Sequence, residues 1–142
     1  PISDYSEIDN VVEELVKYAK GKVKIKKVYL DRGFYGVPIV RIFKRLKVHF
    51  IIHAKKSISV KKLIEKNKSK EVIVADYQMY RKRKAPSGKE WVRLFILPHR
   101  TKKDERVCFV TDLDVNEENA KDYAEDFRKR WGIVTYSMDI WF

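Results

Sequence analysis

Ile8, Val11, Val12, Leu15, Val16 and Ala19 recur at helical spacing and make one apolar stripe. Ser6 reads as the N-cap of this first helix, with Glu7 and Asp9 in its positive first turn. Gly21 reads as its stop. The basic run Lys22, Lys24, Lys26 and Lys27 fits a solvated loop, and its alternation also fits a strand edge. Val28 and Leu30 then mark a short strand that closes on Asp31. Gly33 and Gly36 predict a tight exit. A second helix is predicted over residues 37–46, with Pro38 in the first turn, where a missing N–H costs nothing. Ile39, Val40, Phe43 and Leu46 form its buried face; Arg41, Lys44 and Arg45 face solvent or phosphate. Residues 48–54 are almost continuously apolar, as in a strand covered on both faces. Strand, helix, strand over this length predicts a parallel βαβ unit with a right-handed crossover.

The period then changes. Residues 57–68 form a short basic helix or loop anchored by Val60, Leu63 and Ile64. From Glu71 the rhythm is two residues, through Val72, Val74, Tyr77 and Met79. Pro86 and Gly88 mark a turn, residues 91–97 a return strand and residues 106–111 a third. Residues 71–111 thus read as an antiparallel meander inserted into an α/β core. A last helix opens at Asp114, with Glu117 three residues on in a capping-box arrangement. Ala120, Tyr123, Ala124, Phe127 and Trp131 share one face, read as core packing, and the helix frays near Gly132. The whole chain, 1–142, reads as a single domain.

Charge adds a partner. Lys and Arg number 32 against 20 Asp and Glu, a net charge of +12. That excess favours a polyanion, nucleic acid first, although it also serves solubility. The hydrophobic fraction of 44% supports a packed core and excludes wholesale disorder. No run is long and apolar enough for a transmembrane helix, and no signal peptide opens the sequence. With one cysteine there is no intrachain disulfide, and a reducing cytosol is the expected compartment. Cys108 lies in an apolar run and reads as core filler. His49 and His53 fall on one face of a strand about 13 Å apart, too far to share a metal ion. His99 stands in a basic loop without a sequence partner.

The segment Leu30-Asp31-Arg32-Gly33-Phe34-Tyr35 resembles the surroundings of the second catalytic aspartate in DDE-type insertion-sequence transposases. Phe127-Arg128-Lys129-Arg130-Trp131-Gly132-Ile133-Val134 is similar to the closing helix of the same family. There the signature is Tyr, two residues, Arg, three residues, Glu, six residues, Lys. The resemblance spans essentially the whole chain. It implies an RNase H-like (ribonuclease H-like) α/β core with an inserted antiparallel β region. It also implies DNA as partner, transposon ends in particular, and Mg²⁺ held by three acids for strand cleavage and transfer.

Carried over residue by residue, Asp31 is the catalytic, metal-binding aspartate and Arg130 a phosphate contact. The family's Glu falls on Val134, its Tyr on Phe127 and its Lys on Trp141. The first-strand acid has no recognisable counterpart; Asp4 has no apolar strand around it, so the core reads as incomplete at its N-terminus. Asp139 is a poor substitute for the Glu unless the helix breaks, being five residues past Val134 and turned elsewhere on a helix. The expected chain is therefore a degenerate catalytic domain, a DNA-binding remnant, or a structural fragment. Arg81, Arg83 and Lys84, with Lys82 and Lys89, form a second basic cluster at the hairpin tip. That cluster either neutralises phosphate or is simply solvated. Trp91 beside it either stacks on an unpaired base or packs in the sheet.

Overall fold

This computed structural model describes residues 4–22, 24–81, 88–128 and 137–142. Helices are α1 (Asp4–Lys20), α2 (Val37–Leu46), α3 (Ile58–Lys66) and α4 (Ala120–Arg128). Strands are β1 (Lys24–Leu30), β2 (Phe50–His53), β3 (Ile73–Arg81), β4 (Gly88–Pro98), β5 (Arg106–Thr111) and β6 (Ser137–Trp141). They form one six-stranded sheet in the order β3-β4-β5-β2-β1-β6.

The expected parallel pair is present. Val28 pairs with Phe50 and Leu30 with Ile52, with α2 as the connection. The expected meander is present too: β3, β4 and β5 pair antiparallel in succession. It extends the same sheet, because β5 pairs antiparallel with β2. β6 closes the other side, parallel to β1.

Alternation within the strands sends side chains into two cores. Val28, Leu30, Phe50, Ile52 and Val110 meet Val12 and Val16 of α1 and Phe43 of α2. Tyr29, Ile51, Phe95 and Phe109 meet Val115, Ala120 and Ala124 on the opposite face. β1 and β2 are therefore covered on both sides, which is why their apolar runs are continuous. Cys108 is fully buried, as core filler should be, and burial pushes its thiol up to about 11. Phe109 centres an aromatic cluster, 5.1 Å from Phe95 and 5.0 Å from Phe127.

Several local expectations fail for physical reasons. α1 already runs from Asp4, so Ser6 lies within it and does not cap it. Its buried arc is narrower than the stripe: Val12 and Val16 are buried, whereas Val11 is 56% and Leu15 49% exposed. α1 packs against α2 and β1, and the outer edge of the stripe remains in water. The basic run after Gly21 is strand from Lys24 onward. Lys27 is buried there, its ammonium 3.8 Å from Asp126 and over the Tyr123 ring.

The turn after Asp31 is a 3-10 turn, Arg32–Phe34, and neither Gly33 nor Gly36 uses a left-handed backbone. The last helix is not capped by Asp114 and Glu117. Instead the Asn116 N–H donates to Asn119 Oδ1 at 2.7 Å, and the Asn119 N–H donates back to Asn116 Oδ1 at 2.9 Å. Asn116 O accepts the first helical bond, from the Ala120 N–H. The capping box exists, two residues later and with two amides. Within residues 57–68 the helix is α3, Ile58–Lys66, capped by the Ser57 hydroxyl, which accepts from the Val60 N–H. Trp131 and Gly132 lie outside the described residues.

Candidate functional site

Asp31 ends β1 and is exposed. Its N–H donates to Phe142 O at 3.0 Å, and its own carbonyl accepts from the Phe34 N–H. The backbone is thus fixed on both sides while the carboxylate points into water. Next to it on the parallel neighbour is His53, since Leu30 pairs with Ile52. His53 is half-buried against Phe109 at 5.4 Å and Phe127 at 6.2 Å. Burial lowers its pKa, and the positive charges of Arg32, Lys56 and His99 lower it further, while Asp31 opposes them. Acid, imidazole and cations therefore share one edge.

Strand direction decides what else shares it. β5 reverses against β2, and β4 reverses again against β5, so β4 runs in the direction of β1. The segment after Pro98 consequently lies at the same carboxyl edge as Asp31. That segment is held by its own bonds: the His99 N–H donates to Glu105 O, and His99 Nδ1 accepts from the Thr101 and Lys102 N–H groups. The same logic sends the β3–β4 hairpin to the opposite edge. Phe95 pairs with Phe109, which pairs with His53, and Gly88 lies seven residues back along β4. At the usual rise that is roughly 23 Å. Asp31 and the described ends of the hairpin, Arg81 and Gly88, are not brought together.

The other sequence-predicted residues divide as follows. Trp91 is on β4 and is 59% exposed, so packing within the sheet is excluded. Its carbonyl accepts from Lys44 Nζ. Trp91, Lys44, Arg93 and Asp112 line a cavity of about 530 Å³ at the hairpin end. Arg81 ends β3, paired with Gly88, and its side chain lies outside the described residues. Arg83, Lys84, Arg130 and Val134 lie outside them as well. Arg41 and Lys44 face Glu90, at 3.7 and 3.3 Å, and Arg45 faces Glu13, so these cations of α2 are internally paired.

Asp139 is on a strand and not on a continued helix. It pairs with Lys27, four residues short of Asp31, which places it about 13 Å down the sheet. His49 bonds Asp112 at 2.8 Å at the far edge, and Asp112 also accepts from the Phe50 N–H. The pair fastens β2 to the end of β5, in keeping with a structural histidine. Sequence reading left Lys56, His99, Lys102 and Lys103 unassigned. No local signal places them: the long-range pairing of β5 with β2 is what returns β4 to the direction of β1.

An acid at the carboxyl end of a parallel strand pair, in a mixed sheet with helices on both faces, defines an RNase H-like α/β domain. Residues 3–133 match the family described as Transposase DDE domain, and the chain belongs to that family. No curated protein and no solved structure matches the chain. Members of the family act on DNA and generally use a divalent metal such as Mg²⁺.

Among the described residues, the side chains at this edge do not fit a pair of such ions. Asp31 contributes one carboxylate, Val134 contributes none, and Asp139 is displaced down the sheet. Among the described residues no three His, Cys, Asp or Glu side chains gather at one point. Arg32 and Lys56 add positive charge beside His53. Among the described residues, no helix is long and apolar enough to cross a membrane.

Proposed function

We propose that residues 1–142 are one transposase-like domain, with residues 71–111 inserted in it, which engages DNA without cutting it. The observation that carries this reading is the position of Asp31. It occupies the carboxyl edge of the parallel pair, while Asp139 pairs with Lys27 well below it. Asp31 is the one acid of the family pattern retained, and a single carboxylate holds Mg²⁺ weakly, because the ion dehydrates reluctantly. Two ions side by side need charge neutralisation that one acid does not give. Arg130 contacts phosphate. Arg81, Arg83 and Lys84, with Trp91 for an unpaired base, form a second contact.

The test is incubation of the purified protein with supercoiled plasmid and Mg²⁺ or Mn²⁺. No nicking or joining is expected, Asp31→Asn changes nothing, and Val134→Glu restores nothing. Metal-dependent cleavage that disappears in Asp31→Asn would overturn the reading and show that another acid completes the site.

A further inference from the structure

The carboxyl edge carries a groove that none of the residues discussed for DNA contact occupies. It lies between α3 and the segment joining β4 to β5, and encloses about 950 Å³. Lys56, Lys68, Lys102, Lys103 and Arg106 line it, against Glu65, Asp104 and Glu105. The acids are largely committed. Glu65 pairs with Lys68 at 2.6 Å, and Glu105 lies 4.0 Å from Lys102. Arg106 is committed too, through bonds to the carbonyls of Lys70 and Glu71 that fix the groove wall. Lys56 and Lys103 are exposed and make no ion pair among the described residues. β4 ends at the edge where Asp31 stands, so the groove formed after Pro98 shares that edge.

We propose that this groove is the track on which one DNA strand lays its phosphates as it passes Asp31. The proposal rests on the reading that the domain engages DNA. Two lysines without ion-pair partners among the described residues, on a walled surface beside cations already paired, favour an anionic chain, which a phosphodiester backbone supplies. Arg81 and Gly88, where β3 ends and β4 begins, lie at the opposite edge of the sheet.

The test uses the full chain and a fluorescent DNA oligonucleotide, single-stranded and duplex, titrated at several salt concentrations. Lys56→Gln with Lys103→Gln is compared with a charge-matched control, Lys24→Gln with Lys26→Gln, on the far half of β1. Both pairs change exposed side chains only. The groove pair is expected to weaken binding about tenfold at low salt and to reduce the salt slope by about 1.4, as loss of two single-strand phosphate contacts requires. The control pair is expected to change affinity by less than about threefold, as loss of long-range attraction alone would. If the wild-type protein binds and the groove pair matches it or the control, the groove is not the track, and DNA engagement stands. If the wild-type protein binds no DNA at low salt, the underlying reading and the groove fall together.

Discussion

Leu30 pairs with Ile52, so Asp31 and His53 stand side by side where two parallel strands end. The carboxylate favours the protonated imidazole, and Arg32 opposes it. Asp31→Asn should therefore move the His53 titration to lower pH, and Arg32→Gln should move it higher. The sign for stability follows from burial. The folded state holds His53 below the usual value of about 6.5, so the unfolded chain takes up its proton first. Its contribution is complete above that value and is lost as pH falls through the folded pKa. NMR titration of the His53 ring in the three proteins checks this, and equal midpoints would refute it.

Gly33 sits in the 3-10 turn after Asp31, and nothing lies within 4 Å of where a Cβ would be. Its backbone is one that any residue adopts. Gly33→Ala should stabilise the protein by about 0.4–1 kcal/mol, by reducing the freedom of the unfolded chain. A thermal melt should show a higher Tm. A lower one would mean that the turn needs glycine after all.

Asn116 accepts from the Glu118 and Asn119 N–H groups at the start of α4. Asn116→Ala should cost about 1 kcal/mol in urea unfolding. Asp114→Ala should stay within about 0.5 kcal/mol, as a surface change outside the cap does. The reverse order would restore Asp114 as the cap.

The hairpin cluster is tested separately from the groove. Replacing Arg81, Arg83 and Lys84 by Gln should weaken DNA binding and reduce its salt dependence. Wild-type binding itself should fall by about a decade or more between low and physiological salt. Binding that ignores salt would exclude a phosphate-driven contact at either edge.

The sequence by itself determined most of the elements, β6 excepted, and the parallel pair. The β-branched run on either side of residues 37–46 and the stripe Ile39, Val40, Phe43 leave one packing: a helix crossing between two strands buried on both faces. It also determined that Asp31 ends its strand, that Val134 carries no carboxylate, and that Cys108 is core. What the tertiary structure decided was position across the sheet. Strand pairing is a long-range relation, and no local pattern says that β5 joins β2 and β6 joins β1. That pairing sends the hairpin to one edge and the turn after Pro98 to the other. It also sets Asp139 beside Lys27, away from Asp31. Burial of single residues was decided the same way. Val11 and Leu15 repeat the spacing of Val12 and Val16, yet a helix touches its neighbours over an arc fixed by the layer beneath it, and theirs falls outside. Trp91 alternates like a core residue, but its row extends past the last helix that could cover it, so its ring stays in water.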